Sequence, residues 1–136
     1  MVMRMSYQEV VEYWRESAGR DFEVAQGLVK LGHYAYALFF CHLTLEKMLK
    51  AVYVAKHEKH APFTHDLAAL LRESGLSFTE ETLKECAIIT QFNMQTRYPE
   101  QKSEIYQKFN NREYSEKYLA ISTKLLSWFK ESLTKK

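Results

Sequence analysis

Turn-forming residues are scarce in this chain: four glycines and two prolines among 136 residues. A β-sandwich or barrel of this length needs many more of them, so the expected class is all-helical. The same scarcity removes the glycine-rich phosphate cradles. No Walker loop, no G-x-G-x-x-G and no G-x-S-x-G occurs. An excess of one charge is also missing. The net charge is +2, which argues against a general nucleic-acid binder and leaves room only for a local basic patch. The two cysteines, Cys41 and Cys86, lie in apolar helical surroundings and read as buried free thiols in a reducing compartment. No apolar run reaches the roughly 18 residues of a membrane span. Met1 to Ser6 lacks the apolar core and cleavage site of a signal peptide. A soluble, cytoplasmic protein is expected.

What is abundant is apolar residue at helical spacing: 46% of the chain is hydrophobic, enough for a core, and the length fits one domain spanning 1–136, with its core over about residues 6–133. Ser6-Tyr7-Gln8-Glu9 has the form of a capping box. From there Tyr7, Val11, Trp14, Ala18, Phe22, Ala25 and Val29 recur in steps of three or four, up to Gly32 as the stop. A second helix is expected from His33 to about Lys56, roughly 35 Å long. One strip of it is Tyr34, Ala37, Leu38, Cys41, Leu45, Met48, Leu49 and Val52; another is Tyr36, Phe39, Phe40 and Leu43. A helix apolar over so much of its surface has to be covered on most sides, by its own chain or by a second subunit.

Thr64 reads as the cap of a short helix from His65 to Ser74, with Gly75 ending it. Ser77 or Thr79 caps the next helix, which closes at Arg97-Tyr98-Pro99. Residues 100–111 read as a long polar connection anchored by Ile105 and Phe109. The last helix starts near Asn110 or Asn111, and the Lys135-Lys136 tail suits its negative end. The expected architecture is an up-down bundle of four long helices plus one short helix.

Candidate chemistry is sparse. His57, His60 and His65 are spaced H-x2-H-x4-H, but a structural zinc site wants four ligands, so solvated loop histidines and no metal are expected. Cys41 and His42 are neighbours on a helix and point about 100° apart, which rules them out as nucleophile and base. His42, Glu46 and Lys50 follow one another at i, i+4, as a surface ion pair or as a polar seam toward a ligand or subunit. Lys47, Lys50 and His65 are candidates to hold an anion near the start of the short helix, although Asp66 already supplies negative charge there. Arg97 with Tyr98 presents a guanidinium and an aromatic ring suited to phosphate and base, or else neutralises a helix C-terminus.

Taken in order, Trp14, Ala25 and Leu28; Tyr34, Ala37 and Phe40 leading to Leu45-Glu46-Lys47-x-Leu49-Lys50-Ala51; Thr64-His65-Asp66-Leu67-x-x-Leu70-Leu71; and Arg97-Tyr98-Pro99 resemble a HEPN domain. The resemblance implies a bundle of about five helices, commonly a homodimer. Many members stand beside a minimal nucleotidyltransferase in toxin–antitoxin-like pairs, and others are suggested to bind nucleotides. A large subset are metal-independent ribonucleases carrying Arg-x(4–6)-His late in the domain. Here no histidine follows His65, so Arg97 has no such partner. The expectation is therefore a non-catalytic domain without cofactor, a homodimer that binds a nucleotide, RNA or other phosphate-bearing ligand, or that partners a nucleotidyltransferase. Lys47, Lys50, His65, Arg97 and Tyr98 are the expected ligand residues. Tyr36, Phe39, Phe40, His42 and Leu43 are the expected dimer interface. A ribonuclease toxin and a pure interaction module are the alternatives.

Overall fold

The computed structural model describes residues 4–95 and 97–134. Met1 to Met3, Thr96 and the tail lysines Lys135 and Lys136, expected to meet the last helix end, lie outside them. Six helices follow in order: α1 (Tyr7–Leu31), α2 (Tyr34–His57), α3 (Leu67–Glu73), α4 (Glu80–Thr90), α5 (Pro99–Phe109) and α6 (Arg112–Thr134). There is no strand among the described residues, and no helix among them is long and apolar enough to cross a membrane.

The first hairpin follows from its caps. The Ser6 hydroxyl accepts from the Glu9 amide, and the Glu9 carboxylate accepts from the Ser6 amide, both at 3.1 Å. This satisfies two of the donors a helix start leaves free. At the other end Gly32 adopts φ 83°. The His33 amide then reaches the Leu28 carbonyl and the Gly32 amide reaches Val29, a Schellman motif that reverses the chain within two residues. Fully buried Ala18 and Ala25 on α1 let α2 approach closely.

α2 is the axis of the molecule and packs against α1, α3, α4, α5 and α6. Leu38, Cys41, Leu45, Met48, Leu49 and Val52 of the first apolar strip are all buried. The second strip stays partly open: Tyr36 is exposed, and Phe39, Phe40 and Leu43 are half-buried. Beyond the core of α1, α2 and α6, Phe92 is 1% exposed and meets Phe109 at 4.9 Å and Tyr118 at 5.4 Å, edge to face. These contacts pin α5 and α6 to the segment that follows α4.

Three expectations are corrected. The short helix begins at Leu67, not His65, because Asp66 is its cap: the carboxylate accepts from the Ala68 and Ala69 amides at 3.0 and 3.3 Å. The Thr64 hydroxyl instead accepts from the Asp66 amide and holds the preceding turn. The fourth helix stops at Thr90, well before Arg97. The supposed connection over 100–111 is mostly α5, with Pro99 at its first turn and Tyr98 at the N-cap. The bundle therefore has three long and three short helices rather than four and one, and Arg97 precedes a helix instead of ending one.

Candidate functional site

Two surfaces of α2 carry the candidate residues. The first is a polar seam around Glu46, which is 5% exposed. One carboxylate oxygen accepts from His65 Nδ1 at 2.8 Å, and the other accepts from Lys50 Nζ at 3.1 Å. Lys50 is itself buried, and its ammonium lies 5.6 Å from the Trp14 ring centroid. His42 is completely buried and donates through Nε2 to the His65 carbonyl at 2.8 Å. With the proton on Nε2, Nδ1 is a bare acceptor, and it has no partner among the described residues. Burial pushes the His42 imidazole below its ordinary pKa, against the opposing pull of the His65 carbonyl and Glu46. Glu46, expected as part of an i, i+4 seam but not among the ligand residues, is the group on which Lys50 and His65 converge.

This geometry changes the roles expected for several residues. His42 was expected at a dimer interface; its ring lies inside its own chain, tethering the loop before α3. Nor do His42 and Glu46 form a surface hydrogen bond: their closest approach is 3.6 Å. Lys47 lies 2.7 Å from an Asp21 carboxylate oxygen and donates to the Ser17 hydroxyl at 2.7 Å. Lys47 and Lys50 are thus each neutralised within the fold, and a phosphate would have to displace a carboxylate to reach them. His65 keeps a partly exposed ring, 44% accessible, with Nε2 unused.

The second surface is the open strip of α2. Tyr36, Phe39 and Phe40 line a cleft of about 540 Å³ closed by Met94 and by Lys102 and Tyr106 of α5. Tyr36 and Tyr106 face each other at 5.8 Å, and Phe39 and Phe40 meet edge to face at 5.6 Å. Arg97 and Tyr98 sit in the segment that leads from this cleft into α5. Arg97 spends its Nε on the Asn93 carbonyl at 3.3 Å and forms no ion pair among the described residues. Tyr98 is 77% exposed. The expected ligand residues therefore fall into two groups: Lys47, Lys50 and His65 on the seam, and Arg97 and Tyr98 beside the aromatic cleft. The α5 side of the cleft, with Lys102 and Tyr106, was missed because that stretch read as a connection.

Of the loop histidines, His57 pairs through Nε2 with the Glu73 carbonyl at 2.8 Å, and His65 belongs to the seam. No group of three or more His, Cys, Asp or Glu side chains among the described residues is arranged to hold a metal ion.

The class is an all-helical bundle built around one central helix, α2. The chain belongs to the HEPN domain family, whose model matches residues 11–133. Two solved structures share the fold. TT1696 from Thermus thermophilus aligns with TM-score 0.77 at 23% identity, over 90% of this chain and 97% of its own. ST0689, an archaeal HEPN homologue, aligns with TM-score 0.72 at 19% identity, over the same shares. No curated protein matches the sequence.

Proposed function

We propose that this HEPN domain is a non-catalytic, self-associating module whose α2 aromatic strip is its dimer interface, with Arg97 and Tyr98 binding a phosphate-bearing ligand beside it. The observation that carries the reading is the open strip itself. Tyr36, Phe39, Phe40 and Leu43 occupy successive turns of the most buried helix and remain partly uncovered by their own chain. Desolvating such a strip is worth about 25 cal/mol per Å² of apolar surface. A second copy is the economical cover, since an isologous contact sets the same strip against itself. A minimal nucleotidyltransferase seated on the same strip is the other occupant this reading admits.

For the ligand, Arg97 and Tyr98 are favoured over Lys47 and Lys50 because their terminal groups are uncommitted. Catalysis of the Arg–His kind is disfavoured, since no histidine follows Arg97 at the spacing of that motif. Sedimentation velocity tests the interface: wild type is expected as a dimer, and Phe40→Asp as a folded monomer. A monomeric wild type at tens of micromolar would refute self-association. Titration of ATP, GTP and short RNAs tests the ligand, with Arg97→Ala expected to weaken binding about tenfold, the loss of one charge-assisted contact. Absence of binding to both proteins would sink that half of the proposal.

A further inference from the structure

At the far end of α2 lies a recess that none of this employs. It has a volume of about 550 Å³, and Arg4, Tyr7, Val10, Val54, Lys59 and His60 line it. Val10 and Val54 form an apolar floor between α1 and α2. Arg4 and Lys59 bring positive charge to its rim, and neither forms an ion pair among the described residues. Among the described residues no Asp or Glu side chain lines the recess; of the acids adjacent in sequence, Glu9 is committed to the Ser6 capping box and Glu58 stands at the α2 C-cap beside Lys59. Among the three loop histidines, His57 and His65 are each held by a partner, whereas His60 has no hydrogen bond among the described residues and lines this recess.

The backbone that places these groups is strained. Glu58 closes α2 in the left-handed region, φ 52° and ψ 42°. A side chain disfavours that conformation, so the surrounding packing has to hold it. That turn brings Lys59 and His60 back to line the same recess as Val54. Along α2 the recess is about 22 Å from the aromatic cleft, taking the 15 residues between Phe39 and Val54 at the helical rise.

We infer that this recess is a second binding site, for a small organic phosphomonoester with an aromatic or apolar body. The charge count selects the ligand. A phosphomonoester carries about −1.5 to −2 at neutral pH, which the two permanent cations balance. A monocarboxylate would leave one cation uncompensated. The volume lies in the range of small-molecule pockets, about 300–1,000 Å³, so a bare phosphate would leave the valine floor and the Tyr7 ring unused. The guanidinium of Arg4 offers a bidentate contact, and Lys59 a point charge.

Calorimetry with phenyl phosphate and inorganic phosphate tests this, on wild type and on the Arg4→Ala/Lys59→Ala double variant. Both side chains are exposed, so the fold should survive, as circular dichroism would verify. Phenyl phosphate should bind one per chain and at least tenfold tighter than inorganic phosphate, and the double variant should lose at least tenfold. Amide shifts on titration should concentrate at Tyr7, Val54, Lys59 and His60. Several outcomes would overturn the inference: no saturable binding, equal affinity for both phosphates, an unaffected double variant, or shifts centred on Tyr36, Phe39 and Tyr106. Displacement of phenyl phosphate by a short RNA of higher affinity would assign the recess to a nucleic-acid backbone instead. The aromatic strip plays no part in the assay, so its result stands whether or not the domain self-associates.

Discussion

His42 holds its one ring proton on the His65 carbonyl and has nowhere to put a second. Protonating Nδ1 would create a buried cation with Lys50 nearby, and only the Glu46 carboxylate, 3.6 Å from Nε2, to offset it. Its folded pKa is lowered from 6.5, so below about pH 6.5 the unfolded chain takes up a proton that the folded chain refuses. The stability contributed by neutral His42 is thus fully present above pH 6.5. It declines as pH falls toward the folded pKa, at up to about 1.4 kcal/mol per pH unit, and the decline ends below that value. Urea midpoints at pH 7.5, 6.5 and 5.5 should fall for wild type more steeply than for His42→Gln, which cannot titrate. Identical slopes would show that His42 is not the group responsible. The seam illustrates what spacing conveys at this scale. The i, i+4 series of His42, Glu46 and Lys50 announced that these side chains share a face, but it could not announce His65, which arrives from another part of the chain. That arrival turns a surface ion pair into a buried tether.

Among the elements, those whose ends are fixed by neighbouring residues were legible in the sequence. Ser6 with Glu9, Gly32, Thr79 and Asn111 each act within about one turn of themselves; the first two caps lie where the sequence indicated, and Thr79 and Asn111 are each one of the two positions it offered. α5 was not legible. It shows only Ile105 and Phe109 as apolar anchors, and Pro99 before it suits a helix start as well as a helix stop. Its place is decided by tertiary contact, above all Phe109 on Phe92, which precedes the element in the segment that follows α4. The end of α2 is the element boundary most open to improvement. Glu58 occupies a left-handed cap that glycine adopts freely. Glu58→Gly should therefore stabilise the protein by about 0.5–1 kcal/mol, the left-handed penalty less the entropy a glycine adds to the unfolded chain. A lowered thermal midpoint would mean that the Glu58 side chain makes a contribution larger than the strain it imposes.

At the scale of the whole molecule, the two thiols report on separate parts of the core. Cys41 lies on α2 among the long helices, where burial pushes its pKa up to about 11. Cys86 lies on α4, pushed up to about 12 by burial first and then by the charges of Glu85 and Asp66. Both are free and buried, as their apolar helical surroundings implied. At pH 8 neither offers much thiolate while folded, so a thiol reagent reacts only through opening. The two openings should differ. α3 and α4 have 7 and 11 residues, too short to persist alone, and α4 packs mainly against α3. The two are joined by the Leu67 amide donating to the Thr90 hydroxyl at 3.0 Å. α1, α2 and α6 are longer and bury the larger share of the core. The α3–α4 pair is therefore the element set that opens first, and Cys86 should be labelled faster than Cys41 under native conditions. The two rates should converge as denaturant brings global unfolding into reach. Peptide mapping after timed alkylation separates the sites. Equal rates in dilute buffer would mean that the six helices open only as one unit, with Phe92 and its aromatic partners strong enough to bind the α4 end to α5 and α6.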